Sequence, residues 1–463
     1  MLLKNGHIIR PGASFTGDLR IRGEKIVELG QLQPEAGEEV LDCSGMILLP
    51  GGIETHTHLQ LESMGTVTAD DFASGTKAAL AGGTCTVLDF ATQFHGESLQ
   101  EGTEHWNRKI KDSLFCDVGY HMAMTEWNDD LRKEMAWAVD YGMPSFKLYM
   151  AYKNNMMVRD DEIYEALEES KRLSAVIGFH CENGDLVDKV VRQLKEQGKL
   201  SPYWHAKSRP AEFEAEAIRR LETIALQLNA PHYVVHLSTK EGLKEIRRAR
   251  RKGSPVVAET CPQYLLLDES LYGEPEDDNF EAAKYIMSPP LRAKKNQKPL
   301  WKGLARGDIQ FVGTDHCSFR MKDQKTMGRH DFSKIPNGAP GIELRMLLLF
   351  TYGVLSERLS LERYAQVTAE NAARYFGLYP RKGILAEGSD ADVLVLDPAP
   401  YSRVRSEDLL EKADYTPYEG FEIRGRFRQV FLRGQKLVEN GQVIDNQPHG
   451  RWLAGHCPDI NIR

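Results

Sequence analysis

Eight short apolar runs alternate with longer amphipathic stretches through the middle of this 463-residue chain, and that alternation narrows the possible folds more than any other feature. The runs lie at 46–58, 84–91, 117–123, 145–151, 175–182, 232–238, 256–262 and 309–317. Helical patterns separate most of them, among them 70–81, 161–173, 211–228 and 240–252. Strands joined through helices pair in parallel, because each crossover brings the chain back to start its next strand in the same direction. Eight such units over about 300 residues predict a (β/α)8 barrel, with a doubly wound sheet as the alternative. The two ends of the chain differ in texture. Short strands at 3–10, 18–21, 25–29 and 39–42 are separated by Gly, Pro and Asn. After a helix near 361–376, strands return at 392–397 and 429–438. The expected protein is α/β: a TIM-like barrel over 50–382, a small β-sandwich domain formed from 1–49 and 383–445, and a C-terminal tail over 446–463.

Composition excludes several function classes. A net charge of −8 argues against nucleic acid as a partner. No apolar run approaches the ~20 residues that span a bilayer. The opening Met1-Leu2-Leu3-Lys4-Asn5-Gly6 enters strand-like sequence without a charged-then-apolar leader. The seven cysteines are odd in number and lack C-x-x-C spacing, which suits reduced thiols. A cytoplasmic setting is expected, with a small molecule as partner, and neither nucleic acid nor membrane.

Barrel enzymes place their chemistry at the C-terminal ends of the strands. Strand one ends in His56 and His58, strand five in His180, strand six in His236 and strand eight in Asp315, while strand four carries Lys147. Side chains two apart on a strand share a face, so His56 and His58 suit a zinc-type cation. Four histidines, one lysine and one aspartate thus converge on one barrel mouth. Phe146, Leu148 and Met150 face the helices, which turns Lys147 inward with Tyr149. Burial lowers the pKa of an unpaired ammonium. A neutral amine can take up carbon dioxide as a carbamate, an anionic oxygen ligand able to bridge two metal ions. The alternative is a lysine paired to Asp315 or Glu182.

Several motifs follow one another along the chain. They are Pro-Gly-Gly-Ile-Glu-Thr-His-Thr-His at 50–58, with Glu54 where Asp is usual, Gly65-Thr-Val-Thr-Ala-Asp-Asp-Phe72, and Gly75-Thr-Lys-Ala-Ala-Leu-Ala-Gly-Gly-Thr84. Further along come Ser208-Arg-Pro-Ala-Glu-Phe-Glu-Ala-Glu-Ala217, Met287-Ser-Pro-Pro-Leu-Arg292, Ile335-Pro-Asn-Gly338 and Gly388-Ser-Asp-Ala-Asp-Val393. Taken in order, these motifs resemble the dihydropyrimidinase and D-hydantoinase family of the amidohydrolase superfamily, and the resemblance covers nearly the whole chain. It implies two divalent metal ions per chain, with zinc expected. His56, His58 and Asp315 would hold the more buried ion and His180 and His236 the second. Lys147, as N6-carboxylysine formed with carbon dioxide, would bridge them together with a hydroxide. Asp315 would serve as general base and then acid. Tyr152 would donate to the tetrahedral oxyanion, and Ser288 and Asn337 would hold the amide edge of the substrate through their backbone groups. The implied reaction opens dihydropyrimidines or 5-substituted hydantoins to N-carbamoyl amino acids, by attack of the bridging hydroxide on the amide carbonyl.

A homotetramer is also implied, with Trp452 and Leu453 in the tail as local support. One stretch departs from the family pattern. Where relatives tend to carry Pro-Phe, this chain has Leu61-Glu62-Ser63-Met64-Gly65. The ring substituent is expected against Leu61, Met64, Met150 and Met157, with Glu62 and Ser63 adding polarity. Among rivals, dihydroorotases use H-x-H-x-R, and Gln60 stands at the arginine position. Allantoinase is a rival on the same scaffold. Scaffold proteins of this family have lost the ligands, whereas all six ligand positions are filled here.

Overall fold

The alternation closes into an eight-stranded parallel sheet in the computed structural model, which describes residues 1–275 and 280–462. Its strands are Gly52–Thr57, Thr84–Gln93, Asp117–Met124, Ser145–Tyr149, Val176–His180, His232–Val234, Val256–Thr260 and Phe311–Val312. Each pairs with the next in sequence. Beyond strand eight, the His58 N–H donates to the His316 carbonyl at 2.8 Å and the His316 N–H to the His56 carbonyl at 3.2 Å. The barrel is therefore tied shut at the end where the histidines stand.

Every residue of Thr84–Gln93, Asp117–Met124 and Ser145–Tyr149 is buried, as strands covered on both faces require. Helices follow the strand ends closely because polar caps sit there. Asn183, three residues past His180, accepts from the Leu186 N–H and starts the helix Gly184–Glu196. Ser98 and Glu101 form a capping box for Leu99–Ile110. Because the strands run parallel, their C-terminal ends face one mouth.

The run 46–58 is two strands in two sheets, not one. Ile47–Pro50 pairs antiparallel with Val393–Leu396, and only Gly52–Thr57 joins the barrel. The change of sheet falls at Gly51 and Gly52, where added Cβ atoms would stand 2.7 Å from Cys85 and 2.9 Å from the Gly83 carbonyl. The second sheet has nine strands drawn from both ends of the chain, around a core that includes Leu3, Ile8, Leu48, Val393 and Phe431. The expected strand at 429–438 is a hairpin, Glu422–Leu432 with Gln435–Glu439.

The C-terminal tail docks on the barrel. The Val118 N–H donates to Arg451 and the Leu453 N–H returns to Val118, at 2.9 and 2.7 Å. Leu453 is buried, and Trp452 packs against Tyr120 and Tyr141. The chain itself thus covers the side chains that had argued locally for a partner subunit. All seven cysteines are free thiols. No helix among the described residues is long and apolar enough to cross a membrane.

Candidate active site

His56, His236 and Asp315 bring one ligand atom each to within 4.8 Å of one another. Asp315 Oδ1 lies 3.2 Å from His56 Nε2 and 3.3 Å from His58 Nε2. His180 Nδ1 lies 3.0 Å from His236 Nε2. Lys147 Nζ is 2.9 Å from His56 Nε2 and 4.2 Å from the centroid of Phe90. Neither Asp315 nor Glu182 forms an ion pair with Lys147 among the described residues; the imidazole is its neighbour instead. His236 and Asp315 do not end regular strands. They stand beyond His232–Val234 and Phe311–Val312, with φ of 38° and 55°, and Tyr152 has φ 64°. Left-handed backbone at residues other than Gly costs about 1 kcal/mol or more each and concentrates at functional sites.

Carboxylates behind the cluster decide which nitrogens face it. Glu259 Oε1 lies 2.6 Å from His56 Nδ1, so that nitrogen donates and Nε2 turns a lone pair inward. Glu259 also accepts from the Thr55 hydroxyl and the His236 N–H. Glu182 does the same for His180, at 2.9 Å from Nε2, and is itself held by Arg209 at 2.9 Å. Burial, joined by the Lys147 charge, holds the His56 pKa far below the ordinary value. Burial likewise lowers the pKa values of His180 and His236, which favours their neutral rings. Burial pushes Lys147 down to about 8, against the pull of Asp315 and Glu259. Burial would raise Asp315, but the imidazoles of His56, His58 and His236 hold it well below the carboxylate range.

Glu54, the departure from Asp, uses its extra length. Oε1 accepts from the His56 N–H at 2.9 Å and the Thr314 N–H at 2.8 Å, while Oε2 stands 3.2 Å from Arg345 Nε. Arg345 also donates to the carbonyls of Ile53 and Val312. The pair staples strand one to strand eight just below the ligands.

A cavity of about 490 Å³ opens above the cluster, floored by His58, Lys147, His180, His236 and Asp315. Tyr152, Ser288 and Asn337 line it, and burial keeps the Tyr152 hydroxyl protonated by raising its pKa. Ser288 Oγ and Asn337 Oδ1 are buried without a hydrogen-bond partner, so their side chains as well as their backbone are available to a ligand. Leu61, Met64, Phe94 and Met156 form its apolar wall. Met150 does not line it but packs in the core outside the barrel, and Met157 lies against Gly184. Glu62 does line the rim, yet its carboxylate is paired with Lys109 at 2.6 Å and His105 at 3.4 Å.

Sequence reasoning missed Glu259, Arg209, Arg345 and Phe94. Glu259 had a signal: it is the lone acid in the buried strand Val256–Thr260. Arg209 stands inside the quoted Ser-Arg-Pro motif. Arg345 and Phe94 gave none, since each sits in an ordinary apolar or loop context.

The family model described as the amidohydrolase family matches residues 47–437. The chain belongs to the amidohydrolase family. A D-hydantoinase of Geobacillus stearothermophilus is 40% identical over 98% of this chain and 96% of its own length. A D-hydantoinase of Streptomyces coelicolor is 40% identical over 96% and 97% respectively. Among solved structures, a dihydropyrimidinase from Brevibacillus agri superposes with a TM-score of 0.96 at 40% identity, covering 99% of both chains. In this amidohydrolase the donor set consists of imidazoles, one carboxylate and one lysine of lowered pKa. Two nitrogens, His58 Nδ1 and His236 Nδ1, are buried without a partner. Inward lone pairs held at hydrogen-bond distance from one another fit a bound divalent cation.

Proposed function

We propose that this amidohydrolase is a metal-dependent cyclic amidohydrolase that opens dihydropyrimidines or 5-substituted hydantoins to N-carbamoyl amino acids. One observation carries the reading. Inward-facing imidazoles, Asp315 and Lys147 floor a cavity whose rim offers unpartnered amide-recognising groups at Ser288 and Asn337. The D-hydantoinase and dihydropyrimidinase relatives support the substrate class.

The segment 50–382 is the proposed hydrolase unit, with 1–49 and 383–445 as a companion domain and 446–463 as a tail. His56, His58 and Asp315 would hold one ion and His180 and His236 a second, with Lys147 as a carbamate serving both. Zinc is the proposed metal. When bound, two such ions supply an acidified water and polarise a carbonyl. The remaining chemistry belongs to the chain. Ser288 and Asn337 bind the amide–ureide edge and set its carbonyl toward the floor. Tyr152, protonated, donates to the oxygen that becomes negative. The Asp315 carboxylate takes the proton of the attacking water and returns it to the departing ring nitrogen. The C–N bond breaks, leaving a carboxylate on one side and a ureido N–H on the other. A homotetramer, resting on the family resemblance, and a cytoplasmic setting, resting on the reduced cysteines, complete the proposal.

A side-by-side kinetic panel of dihydrouracil, 5-substituted hydantoins, allantoin and dihydroorotate tests this reading. Dihydrouracil or a hydantoin should give the highest kcat/KM. A site built to pair buried polar groups rejects analogues that cannot match them, and dihydroorotate finds Gln60 where a carboxylate needs arginine. Dihydroorotate or allantoin as the best substrate would overturn it.

A further inference from the structure

Lys325 is fully buried, yet it does not line the cavity and takes no part in the chemistry above. Its ammonium donates to three backbone carbonyls, Ile286 at 2.9 Å, Pro336 at 2.6 Å and Gly338 at 2.7 Å. Three N–H groups meet three acceptors, which is the full donor complement of an ammonium. The aromatic ring of Phe319 lies alongside, 5.9 Å away. These carbonyls belong to two loops. Ile286 precedes Met287-Ser288, and Pro336 and Gly338 flank Asn337. The loops are also tied directly, by the Gly338 N–H donating to the Ile286 carbonyl at 3.0 Å. Gly338 has φ 142°, and a Cβ there would stand 2.3 Å from the Cys317 carbonyl, so the second loop is pressed against the segment that follows Asp315.

Ser288 and Asn337, the two residues with unpartnered oxygens at the cavity, are therefore carried on loops that share one buried cation. We propose that Lys325 is a positioning residue that fixes the spacing of the 286–288 and 336–338 loops, so that both can grip one planar ring. The inference rests on the reading that these loops hold the substrate. Lys325 reaches the ring only through them. Burial pushes its pKa down to about 7, against the pull of the neighbouring Cys317.

Lys325→Met keeps an unbranched apolar stem out to Cε and removes every donor. Metal content should stay close to the parent's, while the carbonyls left without a donor lower the unfolding midpoint. KM for the best cyclic ureide should rise about ten- to a hundredfold, the scale on which misplaced binding groups act, with a smaller change in kcat. Lys325→Arg, which keeps cationic donors, should recover part of that loss. Amide hydrogen exchange should speed up in 286–288 and 336–338 and nowhere else, the Gly338 N–H above all. A Met variant with parental KM and parental exchange in both loops would overturn the proposal. So would a loss spread evenly over the protein, or failure of both variants to fold, since Lys325 would then serve the fold as a whole. If the parent opened no cyclic ureide, the substrate reading would fall, and the exchange measurement would still decide whether Lys325 spaces the loops.

Discussion

At the end of the barrel where the strands begin, Lys382 Nζ lies 2.7 Å from Asp117 and from Asp392 and 3.1 Å from Asp390. Arg433 pairs with Asp117 as well, and the tail joins through the Arg451 N–H. Each buried acid there has a cation, and the cluster binds barrel, second sheet and tail into one body. At the opposite end, an ammonium faces an imidazole at 2.9 Å and two imidazoles face each other at 3.0 Å. Two ring nitrogens are left without partners, and three residues bearing side chains are held in left-handed backbone. The first end is complete as it stands. The second brings imidazoles, a carboxylate and an amine together without such pairing. Conservation of charge balance at one end and its suspension at the other follow the division of a barrel into a stabilising face and a reactive face.

Substitutions can break this contrast, and the largest effect belongs to Lys147. Lys147→Ala should lose bound metal and turnover together, as read by elemental analysis and a dihydrouracil assay. Lys147→Arg should fare no better, because a guanidinium stays charged and forms no carbamate. An arginine variant with full metal and full rate would make Lys147 structural. Next comes Tyr152→Phe, which should lower kcat by about 10²–10³-fold, the effect of one oxyanion donor, and leave metal content alone. An unaltered kcat would show that the hydroxyl does not act. Glu259→Gln should weaken metal affinity by about ten- to a hundredfold, the usual effect of a carboxylate that orients a ligating histidine. Titration against a metal buffer measures this, and parental affinity would contradict the orienting role.

The smallest effect on turnover is expected at the other end. Lys382→Met should leave kcat of the folded protein within about twofold while lowering stability by about 3–5 kcal/mol, since it strands buried acids. Denaturant melts and kinetics on the same preparation separate the two. Burial would raise the Asp390 carboxyl, but Lys382, Lys25 and Arg381 hold it down to about 2. A folded pKa below the unfolded one adds stability above about pH 4, and that stability is lost as pH falls toward 2. Acid unfolding of Lys382→Met should therefore be less steep in that window, and a parental acid limb would place the stabilisation elsewhere.

The barrel was legible because strands buried on both faces write continuous apolar runs, and the histidines stood out against them. The finer placement was not. A period of two turns Lys147 inward, and the same period turns Met150 outward, away from any substrate. Asp315 and His236 lie past their strands in left-handed turns, which propensity does not announce. The break at Gly51 was hidden because apolar residues continue on both sides while the partner sheet changes. Glu259 and Arg345 act at long range in sequence, across the barrel from the residues they fix, so local pattern could not connect them. The tail read as unsatisfied because the strand that covers it lies more than three hundred residues earlier, at Val118.

The central claim is that the mouth of this barrel hydrolyses cyclic amides with bound metal. The most direct test is elemental analysis of protein purified without chelator, paired with its rate on dihydrouracil or a 5-substituted hydantoin before and after chelation. The account predicts about two divalent ions per chain, as expected of a paired-ion hydrolase, and loss of rate as they are removed. Full activity in protein holding close to no metal would contradict it.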